Sequence, residues 1–294
     1  MRIVFIGCVK FSKVTLEKLI ILKADIVGVV TKSTSSFNSD FFDLTDIAIK
    51  NHIPCKTVND VNHPNNVKWI KELNPDIIFC FGWSSLIKSS LLQLAPMGVL
   101  GYHPALLPNN RGRHPLIWAK VLGLRESGST FFFMDENADT GEILDQKPFP
   151  ILFDDDAETL YEKMIKVAVG QLEFFLPLLN KNQYTTVPQI QLSGNVWRKR
   201  GKNDGLIDFR MTTISICNLV RGLTKPYVGA HCSFDGEDIK IWKVKPGNSV
   251  DVNLEPGKVL ANDEKIIEVK TSDGSILILE HEFKYLPKIN NYII

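Results

Sequence analysis

A chain of 294 residues with 44% apolar side chains can hold one large domain or two of ordinary size, with ample material for a core. Its 34 basic and 33 acidic side chains leave a formal charge of +1, so bulk electrostatics give no reason to expect nucleic acid or a membrane as partner. Five cysteines, at 8, 55, 80, 217 and 232, are scattered and odd in number with no CxxC pair, which reads as buried or free thiols in a reducing cytosol.

In chain order, "MRIVFIGCVKFS" begins with a short apolar run cut by Gly7 and has no small-residue cleavage site, so no signal peptide or membrane span is expected and a cytoplasmic location is. "RIVFIG" suits a strand buried on both faces of a parallel sheet. "FSKVTLEKLIIL" reads as a helix with Ser12 as N-cap. "ADIVGVVT" is a second strand, residues 32–39 a polar loop, "FFDLTDIAIKNH" a helix and "IPCKTV" a third strand. "PNNVKWIKEL" is a helix and "PDIIFCFG" a fourth strand; the βαβαβαβ alternation predicts a doubly wound, Rossmann-like α/β domain. The first turn, "GCVKFS", is not GxGxxG, so a dinucleotide site there is not expected.

"GVLGYH" reads as a further strand and "PLIWAKVLG" as a short helix; "STFFFMDENADTGEIL" reads as strand, acidic turn, strand. The longest amphipathic helix falls at "DDDAETLYEKMIKVAVGQLEFFLPLLN", with Leu160, Met164, Val167, Ala168 and Phe175 near one face and Pro177 expected to bend its end. Polar residues 181–203 read as a linker between a first domain at 1–180 and a small β-rich, barrel-like domain at 204–294. The "RKRGK" run within it is taken as a solvated linker in preference to a phosphate contact. Asp-Gly at 235–236 and at 273–274 marks two expected tight turns.

None of the six histidines lies in HExxH or a spaced Cys/His set, so no metal is expected, and GxSxG and the P-loop are absent. His103 stands out because it ends a strand, and ligands of open α/β sheets collect outside the carboxyl ends of strands. Asp139 stands out in the acidic turn "ENADTG", 36 residues further on, so that only a fold can bring the two together. A histidine held by a carboxylate has a fixed tautomer and raised basicity, which suits a general base near neutral pH. A lone histidine at a strand end is otherwise more often structural.

"HPALLPNNRG" followed by "STFFFMDENADTGEIL" resembles the signature of the folate-dependent formyltransferases. The stretches "MRIVFIGCVKFS", "NPDIIFCFGWSSLI", "DGLIDF" and "KPYVGA" resemble the same family, so the likeness covers most of the chain. It implies transfer of a formyl group from N10-formyltetrahydrofolate to an amine. By that pattern His103 manages the amine proton and stabilises the tetrahedral intermediate, Asp139 orients and charges the imidazole, and the pterin lies against Phe81, Gly82, Trp83, Ser84 and Leu86. Read without the resemblance, Trp83 is a partly buried surface aromatic.

The sequence departs from the family at Gly101, where the pattern has an Asn two positions before the His. Losing one oxyanion donor typically costs about 10²–10³-fold. Three outcomes stay open: another donor such as Asn110, a water or a backbone amide replaces it; the enzyme is slow; or the protein binds ligands without turnover. "NNRGRHPLIW" resembles the version in sugar formyltransferases of bacterial surface-glycan pathways, with Asn109, Asn110, Arg111 and Arg113 as candidate substrate contacts. Arginine forks suit a diphosphate or carboxylate, although the bland reading is surface ion pairs for the arginines and local turns for the asparagines. Residues 204–294 carry 11 Lys+Arg against 13 Asp+Glu, about −2, which argues against a tRNA-binding tail. The expected acceptor is therefore a nucleotide-linked amino sugar, with initiator methionyl-tRNA as the alternative and the oligomeric state open, a homodimer being one arrangement.

Overall fold

The computed structural model describes residues 1–34, 39–190, 193–248, 250–263 and 265–294. The middle of the expected loop at 32–39 thus lies outside the described residues. The chain divides into two compact units.

The first unit comprises Met1–Pro115, Ser127–Phe149 and Glu162–Trp197. The apolar runs form β1 (Arg2–Ile6), β2 (Asp25–Thr31), β3 (Cys55–Thr57), β4 (Ile77–Cys80) and β5 (Val99–His103). Between them run α1 (Lys10–Ile21), α2 (Thr45–Lys50), α3 (Pro64–Glu72) and the short α4 (Ser89–Leu92). After β5 come the two-residue β6 (Arg111–Gly112), α5 (Pro115–Val121), which from Leu116 on belongs to the second unit, the hairpin strands β7 (Glu126–Phe133) and β8 (Ile143–Pro150), and α6 (Ala157–Asn180), which belongs to the first unit from Glu162 on. The seven-stranded sheet has the order β3-β2-β1-β4-β5-β7-β8. The pairs from β3 to β5 are parallel, and β7 runs antiparallel to β5.

The strand order reverses between β1 and β4, the switch point where such sheets open a crevice. The turns after these two strands touch: Cys8 N donates to the Gly82 carbonyl at 3.3 Å and Ser12 Oγ to the Phe81 carbonyl at 2.5 Å. Gly82 has φ +75°, and a Cβ there would lie 2.3 Å from Val9 Cγ2, so no other residue fits this crossing without displacement. Ser12 is not the N-cap expected of it. α1 starts three residues earlier than that cap implies, with Val9 in the cap position, and the Ser12 hydroxyl reaches back to accept from Val9 N at 3.1 Å. One face of the sheet packs Val4, Ile6, Ile78, Cys80 and Val99 against Ile70 and Leu91.

α6 starts where Asp156 and Thr159 cap each other's backbone amides and ends at Asn182 in the left-handed region. Leu160, Met164, Ala168 and Phe175 are buried along it, and the helix continues three residues past Pro177. Residues 181–203, expected as a linker, are partly woven into the first unit. Val187 bridges Ile143, and β9 (Val196–Trp197) pairs in parallel with β6.

The second unit comprises Leu116–Glu126, Pro150–Tyr161 and Arg198–Ile294. It contains α7 (Thr213–Leu223) and β10 (Ala230–Phe234), β11 (Glu237–Pro246), β12 (Val259–Asn262), β13 (Ile267–Lys270) and β14 (Ser275–His281), in the antiparallel order β10-β11-β14-β13-β12. Residues 290–294 join the two edges, since Val259 N donates to Asn291 O and Ile294 N to Ser233 O, both at 2.9 Å; the ring of backbone bonds is thereby closed as in a small barrel. Asp235-Gly236 forms the expected two-residue turn with both residues at positive φ. Asp273-Gly274 differs: it lies in a four-residue turn, and Asp273 Oδ1 accepts the Thr213 amide at the start of α7 at 2.7 Å. All five cysteines are free thiols.

Candidate active site

β5 ends at His103 because a turn of Pro and Leu residues follows it, and the period-two alternation separates His103 from Tyr102. The Tyr102 ring stacks on Phe11 at 4.2 Å and its hydroxyl meets Ser129 Oγ at 2.9 Å. The turn after His103 is pinned to β7 and β8: Thr130 Oγ1 donates to Ala105 O at 2.6 Å, and Gln146 Nε2 to Leu107 O at 3.0 Å.

The β7–β8 hairpin brings Asp139 back to this place. Phe133 N donates to Glu142 O at 2.8 Å, and Asp135 Oδ1 gathers the Asn137 amide and the Thr140 hydroxyl. Gly141 is required here, since a Cβ would sit 1.7 Å from the Phe133 carbonyl. Asp139 itself has φ +60°, which Asp tolerates better than most residues. His103 Nδ1 and Asp139 Oδ2 lie 3.6 Å apart, and His103 is only 5% exposed. The two residues that sequence reasoning paired are thus neighbours.

Asp139 Oδ2 also accepts from Gly112 N at 2.9 Å. His103 Nε2 lies 2.8 Å from the Asn110 carbonyl, which can only accept, so Nε2 carries a proton. Both ring nitrogens face oxygen acceptors. Such a ring can donate a proton, hold positive charge beside a developing negative one, or exchange the Asn110 carbonyl for a substrate amine, since one neutral hydrogen bond is worth about 1 kcal/mol net.

The other expected site residues are placed as follows. Phe81 is 0% exposed within an aromatic cluster of Phe5, Phe79 and Phe131, so its ring packs the core and only its backbone is left to face a ligand. Trp83 is half-buried with Lys32 Nζ 4.7 Å above its ring, and its Nε1 is, among the described residues, the buried side-chain polar atom left without a hydrogen-bond partner. The Ser84 carbonyl accepts from Arg113 Nη1 at 3.0 Å, tying the 81–87 stretch to the loop after His103, while Leu86 is 68% exposed. Asn109 is exposed, and Asn110 (φ +62°) lends its backbone to His103. Arg111 departs from expectation: it is 6% exposed and grips Gln189 Oε1 through Nη2 at 2.9 Å and Nε at 3.3 Å, so it is a buried brace and no open anion fork.

At Gly101 the space for a side chain is taken by Met134, whose Cε would lie 2.7 Å and whose Cγ 2.9 Å from an added Cβ. In the second unit, the "RKRGK" run proves largely paired internally. Arg198 bonds Asp204, Lys202 bonds Asp238, and Arg200 is buried over the Trp118 ring at 4.5 Å. Sequence reasoning missed Met134, Gln146, Gln189 and Asn195. The last two lie in a stretch whose polarity read as solvent-exposed linker, and a two-residue strand is too short to show a period.

Residues 1–172 match the model of the formyl transferase family, and residues 199–290 match that of its C-terminal domain. The chain belongs to the formyl transferase family. This formyl transferase is 31% identical over 285 residues, 95% of its length and 91% of the relative's, to the methionyl-tRNA formyltransferase of Caldanaerobacter subterraneus subsp. tengcongensis. It is 32% identical over 284 residues, 95% and 90%, to that of Geotalea daltonii. Among solved structures it shares its fold with the sugar 3N-formyl transferase WlaRD, in a structure with dTDP and 5-N-formyl-THF, at TM-score 0.72, 19% identity, 97% of this chain and 99% of the other. It does so too with an N-formyltransferase from Helicobacter canadensis in complex with folinic acid and dTDP-3-aminofucose, at TM-score 0.73, 22% identity, 94% and 98%. No described helix of this formyl transferase is long and apolar enough to cross a membrane.

Proposed function

We propose that this formyl transferase moves a formyl group from N10-formyltetrahydrofolate to the amine of a nucleotide-linked amino sugar, with His103 and Asp139 handling the proton. The observation that carries the chemistry is the 3.6 Å approach of His103 Nδ1 to Asp139 Oδ2 at the end of β5. The ring manages the proton of an attacking ammonium, and the carboxylate holds the ring's orientation and complements its charge.

The stretch after β4 fits the folate. It lies at the sheet's switch point, and the Trp83 indole N–H is a buried donor awaiting an acceptor, costly to leave unmet by about 1–3 kcal/mol. A pterin offers such acceptors. Gly82, Trp83, Ser84 and Leu86 would hold it, and the bound donor would supply an activated formyl carbon. Two neighbours of the same fold were solved with formyl-folates, in line with this reading.

The acceptor assignment rests on charge. A tRNA backbone calls for open basic side chains. Here residues 204–294 sum to about −2 by sequence, and the basic run before them is engaged internally by Asp204 and Asp238. Arg111 is braced by Gln189, so a sugar-linked diphosphate would meet other groups of the site. A second reading, formylation of methionyl-tRNA, is favoured by 31–32% identity to such enzymes over 95% of the chain. Assays of formyl-donor consumption with dTDP- and UDP-linked amino sugars and with initiator methionyl-tRNA separate the two. Turnover with a sugar nucleotide is expected. Turnover with methionyl-tRNA alone selects the second reading, and ligand-induced thermal stabilisation without turnover on any acceptor selects a binding protein.

A further inference from the structure

The side-chain amide of Gln189 has all four of its hydrogen-bonding positions filled, and every partner belongs to the candidate site. Its Oε1 accepts twice from Arg111, and its Nε2 donates to Asp139 O at 3.0 Å and to Gly141 O at 2.7 Å. The orientation is unambiguous, because a guanidinium only donates and a carbonyl only accepts. Two carbonyls of the 139–141 turn therefore converge on one donor. The backbone around Gln189 is anchored on both sides. Val187 exchanges two hydrogen bonds with Ile143 at 2.8 and 2.9 Å, and Arg111 N donates to Asn195 O at 3.1 Å. Asn195 Oδ1 in turn accepts from Asn110 N at 2.9 Å, next to the carbonyl on His103 Nε2.

The gap this arrangement governs is a narrow one. At 3.6 Å, His103 Nδ1 and Asp139 Oδ2 stand beyond hydrogen-bond length. A shift of the turn by a few tenths of an ångström decides between a direct bond and a separated pair. Arg111 and Gln189 act on the turn's backbone, leaving the Asp139 carboxylate to His103 and Gly112 N.

We infer that Gln189 is a positioning residue for the His103–Asp139 pair, acting through its amide bridge between Arg111 and the 139–141 turn. The inference rests on the proposed role of that pair. Gln189→Glu separates the halves of the bridge, since a carboxylate keeps the acceptor for Arg111 but cannot donate to the two carbonyls; Gln189→Met removes both halves at similar size.

The test reads the imidazole directly in the ligand-free full-length chain, by ¹⁵N resonances of selectively labelled histidine, alongside steady-state formyl transfer. Both variants are expected to move the His103 ring resonances and leave those of the other five histidines in place. They are also expected to lower kcat about tenfold to a hundredfold with acceptor KM within twofold, as small misplacements of catalytic groups do. Adding Asp139→Asn to Gln189→Glu should cost less than Asp139→Asn costs alone. Unmoved His103 resonances in folded variants, or a loss confined to KM, would overturn the inference. Its failure is distinct from failure of the underlying reading, which falls if Asp139→Asn itself leaves both the His103 resonances and kcat at wild-type values.

Discussion

His103 owes its environment to groups that leave it little freedom: a backbone carbonyl on one nitrogen and a carboxylate beside the other. Replacing it with Gln should lower kcat by about 10²–10⁴-fold with the fold intact, checked by single-turnover formyl transfer and circular dichroism. A folded His103→Gln enzyme of wild-type rate would contradict the assigned proton role. Gly101 gives a second test. An asparagine placed there meets Met134 Cγ as well as its flexible terminal methyl, so the clash is not relieved by the chain end alone. Gly101→Asn is expected to cost about 1–3 kcal/mol, the usual range for overpacking. The cost should shrink when Met134→Ala is added, and urea unfolding of the single and double variants measures it. Equal costs in both backgrounds would rule out Met134 as the obstacle.

At the scale of elements, the strands and helices of the first unit follow from patterns the sequence displays. "RIVFI", "DIVGVVT" and "IIFC" are apolar without alternation, as strands covered on both faces must be, and they became β1, β2 and β4. His103 and Asp139 were legible because one ends such a run and the other sits in a Gly-containing acidic turn between two more. Their meeting was not legible from spacing and needed the hairpin. The brace of Arg111 by Gln189 was hidden because it joins residues 78 apart through side chains that look solvent-seeking. Ser12 misled because it stands at the third position of α1, where its hydroxyl still serves the start of the helix by accepting from Val9 N, so that by sequence it looks like the cap itself.

The second unit offers a pH test at the same scale. Burial, and then Lys240 facing it across β10 and β11, push the His231 imidazole below its ordinary value of 6.5. The folded ring stays neutral where the unfolded ring takes a proton. Its stabilising effect is whole above about 6.5 and falls as pH drops from there toward the lower folded value. Burial lowers His281 in the same sense. Melting temperature should therefore fall between pH 7.5 and 5.5, and His231→Gln should flatten part of that slope. A melting temperature that rises on acidification would reverse the sign and contradict the account.

For the whole molecule, the balance of 34 basic and 33 acidic side chains, with the main basic run paired internally, predicts weak electrostatic capture of a polyanion. Acceptor KM should change only a few-fold between 50 and 200 mM salt, against the loss of about 10³–10⁵ that six to ten phosphate contacts would bring. A steep salt dependence with methionyl-tRNA as acceptor would return the assignment to tRNA. The claim beneath all of these is that His103 and Asp139 work as one unit. A double-mutant cycle on kcat, with His103→Gln, Asp139→Asn and the pair, tests it most directly. The double variant should be no slower than about the worse single variant; losses that multiply, or an Asp139→Asn enzyme of undiminished rate, would contradict it.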